Sequence, residues 1–140
     1  MKPNGHERYG QVRDWMTRNP ATVADDCRID AALSRMRSAE IRHLLVFDGD
    51  RLVGILSNRD LGRLALGQGR APLVSDPVRR IMTENPVTVA PEMPVTKAAR
   101  LLLESKIGAL PVRDDDSIVG IFTLSDALEA LLSMVEGAGG

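Results

Sequence analysis

The sequence is poor in aromatic residues, cysteine and long apolar runs. Aromatic side chains make up only 3% of its 140 residues, so a core must be packed mainly from aliphatic side chains and methionine. The single cysteine, Cys27, excludes an intramolecular disulfide and cannot alone form a thiolate metal cage. A membrane-spanning helix needs about eighteen consecutive apolar residues, and the sequence has no such run; we also expect no signal peptide. We therefore expect a cytoplasmic protein with no membrane partner.

Charge and catalytic patterns give no indication of a nucleic-acid binder or of an enzyme. The formal net charge is −1 at pH 7, whereas nucleic-acid-binding domains usually carry a basic face. The sequence contains no P-loop, no nucleophile elbow and no His-Glu-x-x-His pattern. His43 has only His6 as a second histidine, so we interpret it as a polar donor and not as a metal ligand. We expect no catalytic residues, no metal site and no required cofactor.

The main positive feature of the sequence is an internal repeat. Met-Thr-x-Asn-Pro occurs at residues 16–20 and again at residues 82–86, and later identities keep the same 66-residue offset without a gap. Self-similarity at a fixed period indicates one structural unit built twice. With only two copies, we expect a pair related by a pseudo-twofold axis, and we look for function in the cleft between its halves.

The repeat and the composition of its flanking segments divide the chain. We expect a disordered N-terminal tail over residues 1–10, a first repeat over 11–66, a linker over 67–77, a second repeat over 78–136 and a flexible tail over 137–140. Glycine and proline in the tails and linker disfavour regular structure. Each repeat is too short to bury a comfortable core alone, so we expect the two to share one core.

The first repeat is predicted to fold as β-α-β-β-α. An extended segment at residues 21–24 precedes an amphipathic helix, whose apolar residues fall at i, i+3, i+4 and i+7 from Ile29. Two apolar strands then flank the turn at residues 48–50, whose Asp-Gly-Asp sequence is typical of a hairpin. A helix over residues 60–66 closes the unit.

The second repeat shows the same order of elements. Its extended segment covers residues 87–90, its hairpin turn is the weaker Asp-Asp-Asp signal at 114–116, and its closing helix covers about 125–136. The predicted fold class is therefore α/β, more specifically α+β, with two β-α-β-β-α repeats. We expect three-stranded sheets with helices packed on them.

The most informative short motif is Gly-x-x-Ser/Thr-x-x-Asp. It occurs at residues 54–60 and 120–126, each time where the last strand of a repeat meets its last helix. A hydroxyl three residues before an acid is typical of a capping box, which would be purely structural. The same corner suits a nucleotide, because a helix N-terminus accepts phosphate and a carboxylate can accept hydrogen bonds from two ribose hydroxyls. The spacing alone leaves both interpretations open.

Taken together, these motifs resemble a tandem pair of cystathionine-β-synthase (CBS) domains, also called a Bateman module. The resemblance rests on Met-Thr-x-Asn-Pro-x-Thr-Val at both repeat starts, on the sequence at residues 107–112, and on the two Gly-x-x-Ser/Thr-x-x-Asp motifs. It extends from Val12 to about Val135. It implies a regulatory sensor that binds AMP, ADP or ATP, or alternatively NAD or S-adenosylmethionine, between the repeats.

The resemblance also implies two pockets, each with a ribose-binding Asp from one repeat and a base-side wall from the other. Arg42 and His43 are then expected to suit phosphate in pocket one, and Arg59 is the expected cation of pocket two. The expected lining of pocket one is Thr22, Val23, Cys27, Ala32, Ile41, Arg42, His43, Thr123, Ser125 and Asp126. The expected lining of pocket two is Ser57, Asn58, Arg59, Asp60, Thr88, Val89, Met93, Ala98, Ile107, Gly108 and Ala109.

Two helices carry more apolar residues than one core contact can use. They lie near Leu101–Leu103 and Leu128–Val135, and a helix that is apolar over more than one stripe usually has a second partner. We expect a homodimer through these helices and an unidentified regulated protein as a further partner. The alternative is a ligand-free dimerisation scaffold in which the Asp motifs serve only as helix caps.

Overall fold

The computed structural model describes residues 9–60 and 73–138 as a mixed α+β protein. A 3-10 turn over Val78–Arg80 supplements the regular elements. Within the described ranges the helices are α1 (Val12–Trp15), α2 (Ile29–Ala39), α3 (Val95–Ser105) and α4 (Leu124–Ala138). The strands are β1 (Thr17–Arg18), β2 (Thr22–Ala24), β3 (His43–Asp48), β4 (Arg51–Ser57), β5 (Thr83–Glu84), β6 (Ala109–Asp114) and β7 (Ser117–Thr123).

The chain forms two compact units whose boundaries differ from those of the sequence repeats. The Asp60 unit is the continuous segment Ala21–Pro86, and the Asp126 unit combines the chain up to Pro20 with the chain from Val87 onwards. The opening segment of each repeat, with its Met-Thr-x-Asn-Pro motif, therefore folds into the unit that contains the hairpin of the other repeat. We describe the two units separately.

The Asp60 unit contains a four-stranded sheet in the order β2-β3-β4-β5. β2 runs parallel to β3, and the other neighbours are antiparallel. The predicted hairpin is confirmed, and its turn places Gly49 at a φ of 61°, where glycine has no steric penalty. The expectation of three strands was wrong for this sheet. The fourth strand, β5, is a two-residue segment that is too short to show any periodicity in the sequence.

The Asp126 unit contains a three-stranded sheet in the order β1-β7-β6, as expected in number. Its hairpin is also confirmed, and Asp115 adopts the left-handed conformation at φ 54° in the turn. The strands differ from the expected set, however. The extended segment at 87–90 contributes only one bridge, between Val89 and Val112, while the unpredicted β1 supplies the third strand.

In each unit, a methionine of the opening segment packs over a glycine of a strand and so holds that segment against the sheet. A Cβ atom built on Gly120 would lie 2.7 Å from Met16 Sδ and 2.8 Å from the carbonyl oxygen of Thr17. A Cβ atom on Gly54 would similarly meet Met82 and the carbonyl oxygen of Thr83. Glycine within a strand is unfavourable unless another group must approach closely, and here the approaching group is the chain itself.

Buried aliphatic side chains form two clusters where the sequence analysis expected one shared core. In the Asp60 unit, α2 packs Ile29 and Met36 against the hairpin, and Val78 from the 3-10 turn completes the cluster. In the Asp126 unit, Val12 from α1 joins residues of α3, α4 and the second hairpin around Phe122. The clusters are completed by short opening segments, so repeat length alone underestimated the core available to each unit.

Some predicted boundaries lie partly outside the described residues. Residues 58–60 are helical, but the rest of the predicted helix 60–66 and part of the linker 67–77 lie outside the described ranges. The same holds for residues 1–8 of the N-terminal tail and for residues 139–140. The predicted closing helix of the second repeat is confirmed, and it continues to Ala138, beyond the expected boundary at 136.

Candidate functional site

In the Asp126 unit, a capping box stands where β7 meets α4. The Oδ2 atom of Asp126 accepts hydrogen bonds from the backbone N–H of Thr123 at 2.8 Å and from the Thr123 hydroxyl at 3.0 Å. The Asp126 N–H in turn donates to the Thr123 hydroxyl at 3.3 Å. This reciprocal pairing satisfies two donors that the helix itself leaves without partners.

The Asp60 unit repeats the same corner with serine in place of threonine. Asp60 Oδ2 accepts from the Ser57 N–H at 2.8 Å and from the Ser57 hydroxyl at 3.1 Å, and the Asp60 N–H donates back at 3.3 Å. The capping interpretation of the repeated motif is therefore confirmed at both corners. A cap of this kind is worth about 0.5–2 kcal/mol of stability.

The capping role leaves room for a ligand role. Asp60 and Asp126 are only 4% and 7% exposed, and they are the two charged residues among the described buried side chains. Charged groups are rarely buried without partners because desolvation is costly. The corners therefore hold two carboxylates in fixed, matching orientations and do not turn them out to bulk water.

The first-turn N–H groups at these corners are largely committed to the protein. The N–H groups of Asn58 and Leu124 donate to the carbonyl oxygens of Arg42 and Gly108, while those of the two acids donate to the capping hydroxyls. Fewer N–H groups are left for an anion than at an uncapped helix start. The chemistry available at the corners is therefore chiefly that of carboxylates and hydroxyls, which suits a sugar better than a phosphate.

A third residue, which the sequence analysis did not select, completes the Asp126 corner. The hydroxyl of Thr17 in β1 lies 3.3 Å from Asp126 Oδ1 and 3.4 Å from Oδ2. Thr17 belongs to the repeated Met-Thr pair, so the sequence marked the residue as part of a motif. It did not show that the residue reaches Asp126, because 109 positions separate the two along the chain.

Arg42 and His43 lie next to the Asp60 corner within their own unit. His43 is directly opposite Ser57 in the β3-β4 ladder, and the Arg42 carbonyl accepts from Asn58. Burial lowers the pKa of His43 below its ordinary value of 6.5; Asp60 opposes that shift, and Arg42 reinforces it. The Asp60 corner therefore has a cationic side chain and a titratable ring beside it.

Gly108 and Ala109 occupy the equivalent place in the Asp126 unit. Ala109 faces Thr123 in the β6-β7 ladder and is buried. Neither residue carries charge or a side-chain donor, so the position equivalent to Arg42 and His43 is apolar beside Asp126 and polar beside Asp60.

An open groove in the Asp60 unit collects three of the residues predicted for pocket one. Thr22, Val23 and Cys27 line it, and the Arg35 guanidinium, also in the lining, donates to the carbonyl oxygen of Thr22 at 2.5 Å. Its volume is about 830 Å³. Burial, followed by the charge of Asp26, raises the pKa of the Cys27 thiol. The thiol is therefore kept protonated, which disfavours a nucleophilic role.

The other predicted residues divide between core and corner. Ala32 and Ala98 are fully buried in the two core clusters, so each could present only a small methyl surface to a ligand. Ser125, Asn58 and Arg59 are exposed in the first turns of their helices. The remaining predicted residues that pack against or within a core cluster are Ile41, Val89, Met93 and Ile107, and Thr88 is half-buried beside Val89.

The part of the chain that the structure describes contains neither a metal-ligand cluster nor a membrane-spanning helix. In residues 9–60 and 73–138 there is no cluster of three or more His, Cys, Asp or Glu side chains able to hold a metal ion. In the same part of the chain, no helix combines the length and apolar character that crossing a membrane requires.

Comparison with known proteins identifies both repeats. The family model described as CBS domain matches the chain twice, over residues 12–67 and 78–133. A CBS domain-containing protein of Dictyostelium discoideum is 35% identical over 136 residues, which cover 89% of this chain and 93% of that protein.

Two solved structures share the fold and contain adenosine compounds. The crystal structure of CBSX2, a protein of Arabidopsis thaliana, in complex with AMP has a TM-score of 0.77 and 31% identity, covering 89% of this chain and 98% of that one. The CBS domain pair of protein MJ0100 was solved in complex with 5′-methylthioadenosine and S-adenosyl-L-methionine. It has a TM-score of 0.74 and 29% identity, covering 93% of this chain and 98% of that one.

Proposed function

The chain belongs to the CBS domain family, and on that premise we propose that it is a regulatory module that binds an adenine nucleotide at its Asp60 and Asp126 corners. The observation that carries the proposal is the pair of buried carboxylates, held in the same orientation by the same cap. In each, Oδ2 is engaged by the cap. A carboxylate has about four acceptor positions, so a group of this kind can accept hydrogen bonds from the vicinal hydroxyls of a ribose in addition to those of a cap.

Support for the adenosine class comes from the ligands named for the two similar structures, AMP in one and 5′-methylthioadenosine with S-adenosylmethionine in the other. We propose AMP, ADP or ATP as the regulatory ligand, with NAD and S-adenosylmethionine as the alternatives. Arg42 and His43 are the proposed phosphate partners in pocket one, and Arg59 is that of pocket two. The base-side walls predicted from the sequence remain part of this proposal.

In this proposal the protein regulates a partner and has no catalytic activity of its own. We place it in the cytoplasm, where adenine nucleotides are abundant. Occupancy would act by stabilising the liganded conformation, since a ligand shifts an equilibrium only through its differential affinity for two states.

A ligand panel with two Asp variants tests the proposal. AMP, ADP, ATP, NAD and S-adenosylmethionine are titrated by calorimetry and by thermal shift, because a ligand that binds only the native state raises its stability by mass action. We expect at least one clear stabiliser, with affinity lost at one corner in Asp60→Ala and at the other in Asp126→Ala.

The matched control for these variants is Asp116→Ala. Asp116 is exposed in the β6-β7 turn, so its removal takes away the same charge without touching a corner. Wild-type protein that binds none of the five compounds would contradict the proposal. So would Asp60 and Asp126 variants that keep wild-type affinity.

A second proposal, compatible with the first, is a homodimer formed through α4. One stripe of this helix is apolar and exposed, with side chains that are 48–62% accessible. Exposed apolar side chains gathered on one face usually mark an interaction surface. On α3, Leu103 is 75% exposed and could extend that surface, whereas Leu102 is buried in the core. The α4 stripe consists of Leu124, Leu128, Leu131, Leu132 and Val135.

Sedimentation velocity tests the dimer with the double variant Leu128→Glu/Leu132→Glu. Placing two like charges on a shared apolar face should convert a wild-type dimer into a monomer with unchanged helix content. Glu129→Lys, a charge change at an exposed position of the same helix, is the control that should stay dimeric. A monomeric wild-type protein would remove the dimer and, with it, the alternative of a ligand-free dimerisation scaffold.

A further inference from the structure

The hydroxyl of Thr17 ties a short edge strand to the Asp126 carboxylate. Asp126 Oδ2 is occupied by two donors from Thr123. Among the described residues, Oδ1 receives only the Thr17 hydroxyl, at 3.3 Å. Removal of this one hydroxyl would therefore change the hydrogen bonding of Oδ1 and leave the helix cap in place.

Thr83 occupies the place of Thr17 in the other unit. Thr83 is the equivalent of Thr17 in the sequence repeat, and it pairs with Ile55 of β4 as Thr17 pairs with Ile121 of β7. The backbone arrangement is thus repeated. In the Asp126 unit it brings the Thr17 hydroxyl within hydrogen-bonding distance of the acid.

A threonine hydroxyl can serve a sugar site in two ways. It has one proton to donate and two lone pairs with which to accept. While Thr17 donates to Asp126, its oxygen remains able to accept a hydrogen bond from an incoming sugar hydroxyl. The side chain therefore orients the carboxylate and adds a second acceptor next to it.

Thr17 also connects the Asp126 corner to the short strand β1, of which it is part. β1 contains only Thr17 and Arg18, so few contacts hold it. On one side Met16 packs over Gly120, and on the other Asn19 takes the left-handed conformation at φ 54° before Pro20. A change in the hydrogen bonds of Thr17 acts directly on this short strand.

We propose that Thr17 is a positioning and specificity-determining residue of the Asp126 sugar site, and that its hydroxyl reads a hydroxyl of the ligand's ribose. This inference rests on the proposed function, because it assigns a role in nucleotide binding at the same corner.

The test compares AMP with 2′-deoxy-AMP and 3′-deoxy-AMP by calorimetry in three variants. Thr17→Val keeps the branched shape of the side chain and removes the hydroxyl, Thr17→Ser keeps the hydroxyl, and Thr83→Val is the matched change in the other unit. A hydrogen bond of ordinary strength corresponds to about a threefold to tenfold change in affinity. We expect Thr17→Val to lose about that factor for AMP and to lose none for the deoxy analogue that lacks the hydroxyl concerned.

The controls separate a recognition role from a structural one. Thr17→Ser should restore the preference for AMP, and Thr83→Val should leave the Asp126 site unchanged. Equal weakening of AMP and both deoxy analogues in Thr17→Val would show that Thr17 only supports the fold, which overturns the inference. Wild-type affinity and wild-type preference in that variant would overturn it as well.

The proposed function can fail separately. If the wild-type protein binds none of the three nucleotides, the nucleotide-sensor function itself is wrong and the role of Thr17 is wrong with it. If the wild type binds AMP and Thr17→Val behaves identically, only the role of Thr17 is wrong. Thermal unfolding of each variant shows whether it is folded, and Thr17→Ser remains informative if the valine variant is not.

Discussion

The two Asp corners have the same internal geometry but different surroundings. Both caps place a backbone N–H at 2.8 Å from the acid, and both acids are buried. Around Asp126 lie the Thr17 hydroxyl and the apolar Ala109, whereas Arg42 and His43 lie around Asp60. The repeat has thus kept the part that starts the helix and varied the residues around it.

This difference separates structural from functional roles. A feature present at both corners, such as the capping box, is explained by the need to satisfy helix N–H groups. A feature present at one corner only has no such general cause. Variants made in matched pairs, one in each unit, therefore measure how far the two corners are equivalent.

The largest effect is expected at the two strand glycines. Gly120→Ala and Gly54→Ala each place a methyl group where the opening segment crosses the sheet, and overpacking of this kind costs about 1–3 kcal/mol. At Gly120 the backbone oxygen of Thr17 would be only 2.8 Å away, against 3.0 Å for that of Thr83 at Gly54. Urea denaturation should show that both variants are destabilised, with Gly120→Ala affected more.

Shortening the methionine side chain tests whether the side-chain contact or the backbone contact causes the destabilisation. Met16→Ala in the Gly120→Ala background removes the side-chain clash but not the backbone one, so it should restore little stability. Met82→Ala should help Gly54→Ala more, because most of the clash there is with a flexible side chain. Full rescue of Gly120→Ala by Met16→Ala would show that the backbone approach is not the limiting contact.

The next effect is the loss of the helix caps. Asp60→Ala and Asp126→Ala each remove the acceptor of a capping box, which should lower the free energy of unfolding by about 0.5–2 kcal/mol. Asp126→Ala also removes the partner of Thr17. We therefore expect Thr17→Val to add little destabilisation in the Asp126→Ala background and its full cost in the Asp60→Ala background.

A double-mutant cycle checks that expectation in urea. Residues that share a hydrogen bond deviate from additivity, while distant residues add within a few tenths of a kcal/mol. Additive costs for Thr17→Val with Asp126→Ala would contradict the contact between the two side chains. The cycle of Thr83→Val with Asp60→Ala is its counterpart in the other unit.

The sequence predicted those parts of the fold that have a pattern longer than a few residues. The helix starting at Ile29 has apolar residues at helical spacing, and both hairpins have continuous apolar strands around a polar turn. β1 and β5 are two residues long, so no periodicity could indicate them. β1 pairs with β7, about a hundred positions away along the chain. Both short strands also depend on a methionine that packs over a glycine. Neither kind of contact can be read from composition.

For the site, the sequence predicted the chemical groups better than their neighbours. The Ser/Thr-Asp spacing indicated a corner with a hydroxyl and an acid, and the structure has that corner twice. The motif offered a cap and a ribose site as alternatives; the geometry confirms the cap, and the ribose site stays a proposal. The sequence did not place His43 beside Asp60, because the β3-β4 register contains a shift between Val46 and Phe47 that the apolar pattern does not reveal.

The smallest effect is a pH dependence of stability that arises from one corner only. Burial lowers the pKa of His43 in the folded protein below its ordinary value of 6.5, although Asp60 opposes this shift. As the pH falls below 6.5, the unfolded chain binds a proton at this residue more readily than the folded protein does. His43 therefore lowers stability progressively below pH 6.5 and has no such effect above it. The Asp126 corner has Ala109 in the equivalent place, so no histidine there changes the free energy of unfolding with pH.

His43→Gln should remove this part of the pH dependence, because glutamine is neutral throughout. Free energies of unfolding measured in urea between pH 5 and pH 8 should rise less steeply with pH in this variant than in the wild type. His6→Gln is the control, since it removes the other histidine of the sequence. If His43→Gln kept the wild-type pH dependence and His6→Gln flattened it, the titrating residue would be His6. The prediction for His43 would then be wrong. The titratable difference between the corners would then be absent, and Arg42 would remain as the charged group that distinguishes the Asp60 corner.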